Sequence, residues 1–235
     1  MASPTRILIV VPARGGSKRL PGKNLRRLGG KPLIEWTLDA ARGAKLDATC
    51  LLTTDDENIR KKAENLGYWV PFLRPSRLAD GEASSESAVL HALDRVNDIW
   101  GQDPELLMLL QPTTPFRSSS DIRRAVAILE TTPMLDAVVS VKTVNRNPAQ
   151  LFVPDGDNLL RPLGTGQENV YTPNGALYLS RSPAFRQRQT FIQPATSALR
   201  TAPDSDIDID TADDWVQAET ALQRWQGKNG IRKHP

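Results

Sequence analysis

At 235 residues and 39% hydrophobic, with a net charge of only +3, the chain is long enough for one α/β domain with its own core. Its basic residues form a Gly/Pro-punctuated loop and not an aromatic-interleaved stripe, which argues against nucleic acid as a partner. One cysteine, Cys50, excludes an intrachain disulfide, two histidines, His91 and His234, leave little for a zinc site or a Ser-His-Asp triad, and no apolar run approaches the ~18 residues of a membrane span.

In chain order, the apolar run 7–11 predicts a buried first strand, and it is too short for a signal-peptide core. With the single cysteine inside an apolar run, a cytoplasmic protein with no membrane contact is expected. Pro32 suits the first turn of a helix with Ile34, Leu38 and Ala41 on one face. A strand at 49–53 and a helix at 56–66, stopped by Gly67, come next, then a strand at 68–72. The spacing of Val89, Leu93, Val96 and Trp100 predicts a helix over 84–100, followed by a strand at 106–110. A helix over 119–130 buries Ile122, Val126 and Leu129, and a strand occupies 137–144. This alternation implies a mostly parallel sheet flanked by helices.

The rhythm breaks between Asn145 and Pro173, a stretch rich in Pro, Gly and Asn and too long for an ordinary connection. Residues 145–173 are read as a projecting arm used for oligomerisation, within a single domain spanning 1–235. A strand at 175–179 and a last helix carrying Trp215, Ala218, Leu222 and Trp225 complete the pattern, ahead of a frayed terminus.

Two charged blocks stand out. Seven basic residues and no acidic one lie between Arg14 and Lys31, and seven acidic residues with no basic one lie between Thr201 and Gln223. Such blocks suit a magnesium-bound triphosphate, with cations and backbone N–H groups on phosphate oxygens and carboxylates on the metal. In the loop 14–24, Gly15 and Gly16 let backbone approach a ligand, Ser17 joins them as a nucleotide-binding candidate, and Arg14, Lys18 and Lys23 can reach different oxygens of one phosphate chain. It is neither a Walker A loop nor a G-x-G-x-x-G turn. The alternative is a solvated basic loop.

In extended chain Asp206, Asp208 and Asp210 share one face, with Ile207 and Ile209 anchored behind. A hard divalent cation would relieve their repulsion, while a simpler reading has Asp210 or Thr211 capping the last helix. Gln111, between a buried strand and Pro112, is expected to emerge at the sheet's carboxyl edge with Arg74 and the Ser84-Ser85 helix start, unless these are only turn and cap residues. His91 is read as a packing residue, and Trp36, Trp215 and Trp225 as core or interface filling.

These motifs resemble the CMP-sialic acid synthetase (acylneuraminate cytidylyltransferase) family over residues 7–225. The markers, in order, are Pro12-Ala-Arg-Gly-Gly-Ser-Lys-Arg-Leu-Pro-Gly-Lys-Asn, Leu73-Arg-Pro, Ala83-Ser-Ser, Leu110-Gln-Pro-Thr-Thr-Pro-Phe-Arg, Pro173-Asn-Gly-Ala-Leu-Tyr and Asp206-Ile-Asp-Ile-Asp-Thr. The resemblance implies a Rossmann-like nucleotide-diphospho-sugar transferase fold, CTP as donor, Mg2+ (or Mn2+) as cofactor, and a homodimer whose arms reach the partner's site. By it, Arg14, Lys18 and Lys23 hold the triphosphate, and Asn24, Arg74 and backbone from Ala83 through Ser84 to Ser85 hold cytosine and ribose. Gln111 faces the sugar, Asn174 lies at the sugar end of the cleft, and Asp208 and Asp210 bind the metal. The implied reaction transfers CMP from CTP to the anomeric hydroxyl of an acidic 2-keto-3-deoxy sugar, such as an N-acylneuraminate or legionaminic acid.

Arg19 stands where many sialate enzymes have glycine, Thr172 where several have arginine or leucine, and Gly81 and Glu82 replace a common Asp-Thr. Related Kdo enzymes share Arg19-Leu-Pro-Gly-Lys but usually have proline in place of Asn24. Pseudaminic acid and Kdo therefore remain alternative acceptors. Transfer to a sugar 1-phosphate, or a non-catalytic sugar-nucleotide-binding subunit, are the other readings.

Overall fold

The first strand explains its own composition. β1 (Ile7–Pro12) sends Ile7, Ile9 and Val11 into one apolar cluster and Leu8 and Val10 into another on the opposite face. Both faces are covered, so every position is apolar. The structure is a computed structural model that describes residues 3–81, 83–144, 151–154, 160–162 and 169–229, with side chains for all of these but 152–154, 160–162 and 226–229.

A small hairpin of β2 (Arg27–Leu28) and β3 (Lys31–Pro32) leads into α1 (Leu33–Gly43) and β4 (Ala48–Thr53). α2 (Glu57–Leu66) starts where the Asp56 carboxylate accepts from the N–H groups of Asn58 and Ile59. α3 (Ser85–Trp100) starts at Ser84, whose hydroxyl accepts from Ser87 N–H. β5 (Leu106–Leu109), α4 (Ser119–Thr131) and β6 (Ala137–Thr143) follow. β7 (Phe152–Pro154) pairs antiparallel with β8 (Leu160–Pro162), and then come β9 (Tyr171–Arg181), α5 (Ser182–Arg188), β10 (Thr196–Arg200) and α6 (Ala212–Asn229).

The main sheet has the order β10-β6-β9-β5-β1-β4. β1 runs parallel to β4 and β5, and β10 parallel to β6, while β9 is antiparallel to both β5 and β6. All strands but β9 therefore point the same way, so the chain leaves β1, β4, β5, β6 and β10, and enters β9, at one common edge. Helices α1, α2 and α4 cover one face, and α3 and α5 the other. A third cluster, beyond the sheet, gathers Leu20, Leu28, Leu33, Trp36, Phe116, Ile209, Trp215 and Leu222.

Several expectations change. Residues 68–72 form no strand, only one parallel bridge between Trp69 and Leu51, because Pro71, the next residue due to donate to the ladder, has no N–H. β10 and α5 were not anticipated, since Leu199 is the single buried side chain of β10. β9 begins at Tyr171, inside the stretch assigned to the arm, which also holds the β7–β8 pair. Residues 145–150, 155–159 and 163–168 of the arm, Glu82, residues 1–2 and the terminal segment 230–235 lie outside the described residues. Among the described residues no helix is long and apolar enough to cross a membrane.

Candidate functional site at the carboxyl edge of the sheet

The chain leaves β1 at Ala13, whose N–H bonds to the Thr53 carbonyl, and turns into the basic loop. There Arg14 donates to the Asp80 carbonyl at 2.8 Å, and buried Asn24 donates to the Arg14 carbonyl at 2.9 Å. Lys23 is only 8% exposed. Its ammonium donates to Asp210 Oδ1 at 2.8 Å and to the Ile209 carbonyl at 2.7 Å, so the basic and acidic blocks meet directly. Leu20 and Ile209 bring them together, since both are buried in the third cluster against Trp215. Apolar anchoring thus supports the charge pairing from below.

Asp208 is exposed, and Asp210 is half-buried. Burial would raise the Asp210 carboxyl, but the hydrogen bond and charge of Lys23, with Arg19, hold it below the usual carboxylate range. Asp206 departs from the expected shared face. It ends a short 3-10 turn and accepts a hydrogen bond from Asn174 Nδ2 at 2.8 Å. The capping reading also holds for Thr211, whose Oγ1 accepts from Asp214 N–H at 3.2 Å, while the Asp214 carboxylate accepts in return from the N–H groups of Asp210 and Thr211.

Opposite lies the start of α3. Ser85 Oγ accepts from Gln111 Nε2 at 3.3 Å, and Ala83 N–H bonds to Asp80 Oδ1 at 2.8 Å. Arg74 is 5% exposed, and its buried Nε has no partner among the described residues. Burial pushes its guanidinium below the ordinary value, against the pull of Asp55. Arg74 also belongs to the cleft wall.

Together these groups line a cleft of about 270 Å3, walled by Arg14, Ser17, Lys23, Asn24, Arg74, Ala83, Ser84, Ser85, Gln111, Asp208 and Asp210. Lys18 is exposed beside Gly81, a residue of the cleft wall. Four expected residues are not in the wall, Lys18 being the first. Gly15 spends its N–H on Asp55 Oδ1 at 3.1 Å, and a Cβ there would come 2.6 Å from Asp56 Oδ2, so it permits loop-to-loop contact in place of ligand contact. Gly16 faces open space. Asn174 is buried, and its amide is saturated by Ser140, Ala176 N–H, Thr201 and Asp206. It holds Asp206 and the β9 entrance behind the cleft.

Sequence reasoning missed Asp55 and Arg117. Asp55 binds Gly15 and lies 3.9 Å from Arg74, and its signal was an acidic residue just past a buried strand. Arg117 is fully buried and donates to the Gln111 and Ala176 carbonyls, Thr37 and Thr114, among them the backbone that positions Gln111. His91 packs edge-on against Phe72, outside the cleft wall.

For a cation, the chemistry of the donors fits. Asp208 and Asp210 offer hard oxygen ligands, and Asp210 is kept ionised. Among the described residues no group of three or more His, Cys, Asp or Glu could hold a metal. A Mg2+ held by these two carboxylates would take further ligands from water and a bound phosphate, as it does at nucleotide sites.

A family model described as Cytidylyltransferase matches residues 8–224. The chain is 35% identical over 230 residues to the CMP-N,N'-diacetyllegionaminic acid synthase of Legionella pneumophila, covering 93% of this chain and 97% of that one. It is 34% identical over 228 residues to the N-acylneuraminate cytidylyltransferase of Escherichia coli O18:K1:H7, covering 94% of this chain but 53% of the relative. The fold matches that of a CMP:2-keto-3-deoxy-manno-octonic acid synthetase solved with CTP, at a TM-score of 0.69 and 16% identity, over 94% of this chain and 99% of that chain.

Proposed function

The chain belongs to the cytidylyltransferase family, and from that premise we propose that it transfers CMP from CTP to an acidic 2-keto-3-deoxy sugar of the N-acylneuraminate or legionaminic type. The observation that carries this reading is the cleft in which Arg14, Lys23 and Arg74 converge with Asp208 and Asp210. Phosphate and metal-ligand chemistry share one site there.

In this reaction the anomeric hydroxyl oxygen attacks the α-phosphorus and gives its proton to solvent, the α–β phosphoanhydride bond breaks, and pyrophosphate leaves as CMP-sugar forms. Arg14, Lys18 and Lys23 neutralise the phosphate oxygens on which charge builds. Arg74 and Asn24 orient the base and ribose with the backbone at residues 83–85, and Gln111 faces the acceptor. Asp208 and Asp210 would hold Mg2+, which when bound adds positive charge at the phosphates and acidifies the attacking hydroxyl. A homodimer completed by the 145–173 arm, working in the cytoplasm, belongs to the same proposal.

Pyrophosphate release tests it. Each nucleoside triphosphate is paired with sialic, legionaminic, pseudaminic and Kdo acids, and release is expected with CTP and one or more of these sugars. Release only with a sugar 1-phosphate, or with no pair, would overturn the reading.

A further inference from the structure

Asp208 and Asp210 line the same cleft, yet they are not equally available. Asp208 forms no hydrogen bond or ion pair among the described residues, whereas both oxygens of Asp210 are taken. Lys23 holds Oδ1 at 2.8 Å, and Arg19 Nη2 holds Oδ2 at 2.6 Å. The two cations differ in kind. Lys23 is buried and fixed by a second bond to the Ile209 carbonyl. Arg19, with a side chain 67% exposed, makes no other hydrogen bond or ion pair among the described residues.

We propose that Arg19 is an exchangeable counter-ion for Asp210: it occupies the carboxylate while the cleft is empty and gives it up when a divalent cation arrives with a polyphosphate. The inference rests on the nucleotide-and-cation reading of the cleft and adds a coupling to it. A divalent ion placed on Asp210 beside both Lys23 and Arg19 would meet two like charges within a few ångströms, a repulsion that a half-exposed site screens only in part. Phosphate oxygens offer a guanidinium a bidentate partner, where Asp210 gives Arg19 the single Oδ2 contact, and the long exposed stem lets Arg19 move to them. Lys23 has no such freedom. A free cation must therefore compete with Arg19, while the nucleotide draws the competitor away. Nucleotide then tightens cation binding, and by linkage the cation tightens nucleotide by the same factor.

The test is Mn2+ titration of the full chain followed by electron paramagnetic resonance, with and without CTP and with no sugar present. Arg19→Ala is expected to bind Mn2+ alone about two- to fivefold more tightly than the unaltered chain, the scale of one exposed ion pair. The further tightening by CTP should shrink by a similar factor. Arg19→Lys, which keeps the charge, should return most of the original behaviour; a Lys variant indistinguishable from Ala would remove charge as the cause and overturn the proposal. Unchanged Mn2+ affinity in Arg19→Ala, with binding lost in Asp208→Asn, would sink the role of Arg19 and leave the cleft reading intact. Mn2+ binding indifferent to both Asp208→Asn and Asp210→Asn would overturn both.

Discussion

Lys23 and Asp208 sit in one cleft but do different structural work, and paired substitutions separate their roles. Lys23 ties the basic loop to the Asp210 carboxylate and the Ile209 carbonyl, so Lys23→Met leaves two acceptors without their donor. That variant should lose about 10²–10³-fold in turnover, the usual effect of removing one preorganised charge, and should also melt earlier. Asp208→Asn should lose a similar factor in turnover with an unchanged melting midpoint, because Asp208 holds nothing among the described residues. Pyrophosphate release and thermal melts on the same preparations check both. Asp210 adds a pH signature. Its folded carboxyl titrates below the ordinary value, so its stabilisation is present above the unfolded value of about 3.9 and disappears as pH falls through the lower folded value. The gap in melting midpoint between the unaltered chain and Asp210→Asn should therefore begin to narrow below about pH 4 and close as pH falls through the lower folded value, and a gap that stays constant over that fall would contradict the assignment. At this scale the loop chemistry was readable from residue types alone. The positions of Gly15 and Asn174 were not, because a glycine or an amide next to a turn looks the same whether it meets a ligand or a neighbouring loop.

Among the elements, the start of α3 lines the cleft, and β9 lies behind it. Ser84→Ala removes the cap of α3 and should cost about 1 kcal/mol in denaturant unfolding. Within β9, at Asn174 and Gly175, the ladder to β6 is irregular, and Ser140 replaces regular pairing by bonding Leu177 N–H and its carbonyl. Gly175 has φ +79°, and a Cβ there would come 2.6 Å from Gln111 Oε1. Gly175→Ala should therefore strain the turn and displace Gln111, raising KM for the sugar more than KM for CTP. Steady-state kinetics with each substrate varied in turn would show it; equal effects on both would argue that Gln111 does not face the acceptor. The long helices were legible because caps such as Asp56 and Ser84 stand directly before periodic apolar residues. β10 was hidden because Thr196-Ser-Ala-Leu-Arg200 carries too little apolar alternation, and it becomes a strand only by pairing with β6.

Over the whole molecule, one buried cation links the sheet to the helical layer. Arg117 is fully buried, and burial pushes its guanidinium down to about 9. Its bonds reach α1 at Thr37, β9 at Ala176, and Gln111 and Thr114 in the loop after β5. Arg117→Lys keeps the charge but lacks the planar fork that serves these acceptors, and should destabilise the fold by about 2–4 kcal/mol in chemical unfolding. The sequence by itself determined the alternation of strands and helices, the acid–base character of each loop, and the sheet edge where those loops emerge. Those properties are local, set by side-chain period and composition over a few residues. Only the tertiary structure decided that Lys23 would bond Asp210 and Ile209 while Asp206 turned away to Asn174. That choice depends on Leu20 and Ile209, far apart in the chain, sharing one apolar cluster against α6, and packing across such a separation leaves no periodic trace in the residues that take part.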